Sequence, residues 1–321
     1  MLRRETANDP QRLARALKGL RLYQEAARTE PLPLMPAINE AHGATLRDYG
    51  GAGRPVLFIP SLINPPNILD LSEEMSLLRW LVRQGHHVLL VDWGSDVDAR
   101  ATLSVAGHVE EILLPFVRSL TDPPALVGYC LGGTMAIAVA ALVPVRSLAL
   151  IATPWHFSAY SAESRERLLG LWRSAKPIAD AMGVLPTEVL QAAFWQLNPA
   201  AAVSKFERIA DAEPKTIQAF VRLEDWANDG PPLPLEAARE LFEDFFERDL
   251  PGAGEWQVDG AKVRLDNVTG INFISRTDQI VPAGSAAHSL PGTLLDKGHV
   301  GMVIGSEAAL LWEPLADFLE T

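Results

Sequence analysis

Residues Gly128-Tyr129-Cys130-Leu131-Gly132-Gly133 constrain the fold of this chain more than any other stretch. The apolar run Ala125-Leu126-Val127 before them reads as a buried strand, and Thr134-Met135-Ala136-Ile137-Ala138-Val139-Ala140-Ala141 after them as a buried helix. A strand that turns this sharply into a helix holds its central residue in a strained conformation. Small residues two positions away, Gly128 and Gly132, let the turn close. The residue presented there is Cys130, the only cysteine. The helix N-terminus directs N–H groups and the positive end of its dipole at that side chain, which suits a thiolate nucleophile. The plain alternative is an inert buried thiol, because a Gly-x-Cys-x-Gly pattern alone is weak. Partners elsewhere in the chain decide between the two.

The flanking sequence predicts an α/β fold. Short apolar strands are expected at residues 56–59, 88–91, 125–127, 147–151, 271–275 and 293–295, with helical patterns at 72–83, 106–119 and 305–319. Such alternation produces a mostly parallel sheet with helices on both faces. Between Thr153-Pro154 and about Gly270 the strand signal disappears. The segments 162–182, 186–198 and 235–248 are helical and aromatic-rich, and Trp155, Trp172, Trp195 and Trp226 all fall in this region. The expected domain plan is an N-terminal helix and Pro-rich linker at 1–40, an α/β core at 41–154 and 265–321, and a helical cap insertion at 155–264. Within the first segment, Leu13, Leu17, Leu20 and Tyr23 recur at helical spacing over 9–28, before Pro31-Leu32-Pro33-Leu34-Met35-Pro36 breaks the chain. That helix either packs on the body or serves as a docking arm.

Two partners for Cys130 stand where an open sheet puts its site, just past the carboxyl ends of late strands. Asp278 lies in Arg276-Thr277-Asp278-Gln279-Ile280-Val281-Pro282, and His299 in Lys297-Gly298-His299-Val300-Gly301. The order nucleophile, acid, base is that of a strand–turn–helix triad. His299 would take the thiol proton and return it, and Asp278 would fix the imidazole tautomer and stabilise its charged form. The alternatives are a loop-capping carboxylate for Asp278 and a half-buried polar residue for His299. Three sites that agree in order favour the triad. Oxyanion donors are expected from the backbone N–H of Leu131 and of Leu62, in the loop after the strand at 56–59. His86 and His87 are expected at the surface. His42, His108, His156 and His288 have no ligand spacing around them, so neither a metal nor another cofactor is expected.

A formal charge of −12 argues against nucleic acid and anionic lipid as main partners, because both need clustered Lys and Arg. Arg165, Arg167 and Arg173 could form a local anion patch, but a solvated helix face explains them more simply. A single cysteine suits a reducing cytoplasm. Neither a secretory signal nor a membrane-spanning run is expected.

Several of these segments resemble the polyhydroxyalkanoate (polyester) synthases of the α/β-hydrolase superfamily, in particular the short class that works with a second subunit. The resemblance runs from about Leu46 to Thr321. It is carried by Pro60-Ser61-Leu62-Ile63-Asn64-Pro65-Pro66-Asn67-Ile68-Leu69-Asp70-Leu71, Val91-Asp92-Trp93-Gly94, the turn around Cys130, the segments around Asp278 and His299, and Leu223-Glu224-Asp225-Trp226-Ala227-Asn228-Asp229. It implies an acyltransferase that polymerises 3-hydroxyacyl-CoA into polyester through an acyl-cysteine. In that reading Cys130 carries the chain, His299 activates it, and Asp278 also helps deprotonate the incoming hydroxyl. It further implies a second synthase subunit, a homo-oligomer, and a cytoplasmic location at the surface of polyester granules. Two positions depart from the family pattern. Gln279 stands where the family usually has His, and Thr153-Pro154-Trp155-His156-Phe157 where it commonly has Thr-Pro-x-Asp-Phe. A thioesterase or polyester hydrolase on the same scaffold, and a non-catalytic granule-associated relative, remain the alternatives.

Overall fold

Runs such as Pro55–Ile59 and Ser147–Ile151 are apolar on both faces, which only a sheet covered on both sides can accommodate. The computed structural model describes residues 2–321 except Asn198, Asn267 and Ser306. Its main sheet has eight strands: β1 (Ala37–Ala41), β2 (Ala44–Asp48), β3 (Pro55–Ile59), β4 (His87–Asp92), β5 (Ala125–Tyr129), β6 (Ser147–Ile151), β7 (Gly270–Ser275) and β8 (Gly292–Leu295). Their spatial order is β1-β2-β4-β3-β5-β6-β7-β8, parallel from β4 onward and antiparallel at β1–β2 and β2–β4. Alternate residues divide the core. Leu57, Ile59, Leu126, Leu148 and Leu150 face one side, and Val56, Phe58, Val127, Ala149 and Ile151 the other. The helix Leu131–Leu142 is apolar all round and is almost entirely enclosed, as such a helix must be.

The hairpin β1–β2 was not expected from the sequence, and it brings residues 37–40 into the sheet. His42 (φ +48°) and Gly43 (φ +73°) form its two-residue turn, the left-handed pair that matches strand twist. The expected helix at 72–83 starts only at Leu77, because Ser76 caps it by accepting the Arg79 N–H at 3.0 Å. The helix expected at 305–319 runs Ala309–Glu320. The one expected at 186–198 runs Thr187–Leu197, and its last expected residue, Asn198, lies outside the described residues. Between β6 and β7 the chain is mainly helical, with two short strand pairs, Val184–Leu185 with Leu233–Pro234 and Gln257–Val258 with Ala261–Lys262. Aromatic packing holds this layer together, with Trp172 stacked on Phe242 at 5.3 Å and Trp256 edge-on to Phe245 at 5.1 Å.

The N-terminal helix Pro10–Glu25 packs on this helical layer. Asp9 caps it through Gln11 and Arg12 N–H groups, with Pro10 in the first turn. Arg12 pairs with Glu207 at 2.8 Å, Arg15 and Lys18 with Asp211, and Arg28 with Asp225. Gly19 sets the close approach, since a Cβ there would lie 1.9 Å from the carbonyl oxygen of Phe206. In an open helix Gly→Ala gains about 1 kcal/mol. Here the clash with backbone dominates, and Gly19→Ala is expected to cost about 1–3 kcal/mol. Urea unfolding measures it, and a gain in stability would show that the helix is not seated this way.

Candidate active site

Cys130 adopts φ +55° and ψ −130°, a strained conformation for a residue with a β-carbon. Its surroundings hold it there. Its N–H donates to the Ile151 carbonyl at 2.9 Å, and its carbonyl accepts the Gly133 N–H at 2.9 Å. The neighbouring glycines are needed for closeness. A Cβ on Gly128 would fall 2.3 Å from Gly133 Cα, one on Gly132 2.0 Å from the Ile59 carbonyl oxygen, and one on Gly133 1.8 Å from Thr153 Oγ1. The contact at Gly132 lays the loop after β3 across the N-terminus of the helix. Leu131 and Leu62, the expected oxyanion donors, therefore come from segments in contact. Leu62 turns its side chain into the core, and its neighbours Ser61 and Ile63 line the cavity described below.

Asp278 and His299 follow β7 and β8. Asp278 Oδ2 accepts a hydrogen bond from His299 Nδ1 at 2.6 Å, and Oδ1 accepts the N–H groups of Ile280 (2.7 Å) and Val281 (3.0 Å). Its side chain is fully buried. Burial alone would disfavour a charged His299. The nearby Cys130 sulfur and the hydrogen-bonded Asp278 carboxylate outweigh it and raise its pKa to about 10. The pair with Asp278 thus favours the charged form of the imidazole. Tyr129 packs its ring 5.2 Å from the imidazole and donates its hydroxyl to the His299 carbonyl at 3.3 Å. Burial first, and then the nearby Cys130 and Asp278, keep the phenols of Tyr129 and Tyr160 neutral.

Cys130, Tyr129 and His299 open on a cavity of about 410 Å³ between the loop after β3 and the helical layer. Trp226 donates to the Pro65 carbonyl at 2.8 Å and ties the two walls together. The segment 60–71, one of those that carry the resemblance, thus forms a wall. Ile68 and Leu69 are buried, and Asp70 accepts Arg79 in a bidentate pair and the Tyr49 hydroxyl. Lys205 and Arg208 also line the cavity. Lys205 is paired with Glu224 at 2.5 Å, whereas Arg208 is exposed and has no ion pair among the described residues. The sequence reading missed both. Arg165, Arg167 and Arg173 are no anion patch: Arg167 and Arg173 pair with Glu163 and Glu166, and Arg165 donates to the carbonyls of Phe246 and Glu247. Gln279 lines the cavity from an exposed position, and His156 stacks on His288 at 5.8 Å.

The remaining histidines serve the framework. His87 pairs with Asp48 at 3.1 Å, but His86 is 8% exposed and not at the surface as expected, because the loop at Gly51 and Gly53 packs against it just before β4. His108 is wholly buried against Trp93, and burial lowers its pKa to about 4. Between roughly pH 6.5 and 4 the unfolded chain binds a proton there that the native chain does not, so stability falls as pH drops through this window. Replacing His108 with Phe is expected to flatten that slope in urea titrations between pH 4 and 7.

The sequence profile of the alpha/beta hydrolase family matches residues 41–311. The chain belongs to that family. Within it, curated relatives are poly(3-hydroxyalkanoate) polymerase subunits named PhaC. The one from Haloferax mediterranei is 29% identical over 285 residues, covering 82% of this chain and 58% of its own length. The one from Thiocystis violacea is 27% identical over 277 residues, covering 79% of this chain and 77% of its own. Among solved structures, the monoacylglycerol lipase of Paleococcus ferrophilus superposes with a TM-score of 0.55 at 14% identity, over 86% of this chain and 98% of that one. That likeness extends to the fold alone. The residue that this alpha/beta hydrolase presents at the sharp turn after β5 is Cys130.

Proposed function

We propose that this chain is a polyester synthase acting on 3-hydroxyacyl thioesters of coenzyme A, with Cys130 as nucleophile, His299 as acid and base, and Asp278 as the group that orients His299. The observation that carries this reading is a cysteine at the strained turn that shares a cavity with His299, whose Nδ1 donates to Asp278 at 2.6 Å. Sulfur attack on a thioester forms one C–S bond and breaks another, so the acyl group stays activated. The imidazolium returns its proton to the departing coenzyme A thiol. His299 then takes the proton of the 3-hydroxyl of the next unit, an ester C–O bond forms, and Cys130 leaves and recovers the proton. The backbone N–H groups of Leu131 and Leu62 are assigned to the carbonyl oxygen in each step.

The geometry favours His299 over Asp278 for the hydroxyl proton. The Asp278 carboxylate is enclosed and already accepts from Ile280, Val281 and His299. Arg208, exposed on the cavity lining and without an ion pair among the described residues, suits the phosphates of a thioester carrier in a chain that is otherwise acidic. Similarity to the polymerase subunits supports the same reaction, and a second subunit, a homo-oligomer and a place at the polymer surface belong to this proposal. Among the described residues no helix is long and apolar enough to cross a membrane.

The test is incubation of the purified chain with 3-hydroxybutyryl-CoA, with and without a candidate second subunit, following free coenzyme A and acyl product together. Coenzyme A release with insoluble polyester is the expected result. Release of free hydroxy acid would make the chain a hydrolase, and no release under either condition would overturn the proposal.

A further inference from the structure

Cys130 stands between two unequal chambers. One is the 410 Å³ cavity with Lys205 and Arg208. The other, about 110 Å³, lies under the helical layer and is walled mainly by the apolar Phe157, Leu168, Leu190, Ala193, Leu241 and Phe246, with Tyr160 and Ser164 as polar members of its lining. Ile63, Phe194, Gln279 and Ile280 border both and form the partition on which the sulfur sits. An acyl group on Cys130 branches at its third carbon into an alkyl substituent and an oxygen that continues the chain. Only the alkyl branch suits a chamber with apolar walls, because an ester or hydroxyl buried there would lose its hydrogen bonds to water. The polyanionic carrier is confined to the large cavity by size and by charge.

We propose that the smaller chamber is the side pocket for this alkyl substituent and sets an upper limit on its length. The inference rests on the acyl-cysteine reading above. An apolar cavity of roughly 150 Å³ takes up benzene, so the chamber holds a substituent of about four carbons or fewer. Up to that limit each methylene adds about fourfold to acylation through burial. Beyond it the chain must displace Leu168 or Phe246, and the gain reverses.

The experiment measures acylation of Cys130 by 3-hydroxyacyl-CoA substrates of four, six, eight and ten carbons, as the initial burst of coenzyme A and the mass of the acylated chain. Loss of the adduct in Cys130→Ala assigns the site, since Cys130 is the one cysteine. The ten-carbon substrate is expected to react at least tenfold more slowly than the best shorter one. Leu168→Ala enlarges the chamber and should raise the ratio of eight- to four-carbon rates about tenfold. Ala193→Leu fills it and should lower the ratio of six- to four-carbon rates about as much. A folding defect would depress every length alike and leave the ratios unmoved, so ratios unchanged in both variants overturn the proposal. A flat profile in the unaltered chain, with acylation intact, overturns it as well and leaves the acyl-cysteine reading standing. If no substrate acylates Cys130, that reading itself fails.

Discussion

Cys130→Ala is expected to abolish acyl-enzyme formation and lower the rate of coenzyme A release by about 10⁴-fold or more. Neither partner of the proposed triad can take its place. His299 lies within reach of Cys130 but is spent on the proton, and Asp278 is enclosed behind it. Folding should be little affected, because Cys130 is only half-buried and its turn is held by backbone bonds and by glycine contacts that alanine leaves intact. Cys130→Ser separates two accounts of the sulfur. If the site only hydrolyses, an oxygen nucleophile in the same turn should retain a substantial rate. In a polymerising site the serine ester is more stable than the thioester, and transfer to the next hydroxyl loses its driving force. The expected result is a serine variant that acylates slowly and stalls, seen as a persistent acyl adduct without polyester. Rapid turnover by the serine variant would sink the synthase reading.

Much of this site was legible because its parts are local in sequence. The turn around Cys130 reads as apolar strand, glycine-flanked residue and apolar helix, and Asp278 and His299 each follow a strand whose run is plain in sequence. What escaped depends on distance or on weak patterning. Strand β1 is an edge strand, largely exposed, with Asn39 and Glu40 breaking the apolar pattern, so nothing in Ala37-Ile38-Asn39-Glu40-Ala41 alternates strongly. The seat of the N-terminal helix depends on Gly19 meeting a carbonyl of Phe206, far along the chain. Lys205 and Arg208 look like any charged residues on a surface helix, and only folding turns them toward the cavity. The cluster Arg165, Arg167 and Arg173 is plain in sequence, and the simpler reading of it as a helix face agrees with its partners Glu163, Glu166 and two carbonyl groups. The departure at Gln279 leaves the bonds of Asp278 undisturbed, because that side chain points outward along the cavity wall.

Asp278→Asn is expected to cost about 10³–10⁴-fold in the rate of Cys130 acylation with little change in fold. The amide is isosteric, but it offers one acceptor where the carboxylate offers two. The N–H groups of Ile280 and Val281 both point at Oδ1, so the amide oxygen will stay with them. Its NH₂ group then faces Nδ1 of His299, which can pair only by giving up its proton. The other ring nitrogen must then carry the hydrogen, and it can no longer accept one from Cys130. The variant also removes a carboxylate that helps to raise the pKa of His299. In the native chain that raised value contributes stability in full below about pH 6.5. The contribution is lost as pH climbs toward about 10, where the imidazole discharges. Unfolding free energy measured from pH 6 to 10 should therefore fall less steeply in the Asn variant than in the native chain. A purely structural role for Asp278 would alter stability without changing the pH dependence of acylation. An orienting role moves both, and a loss of less than tenfold in acylation would show that His299 keeps its place without the carboxylate.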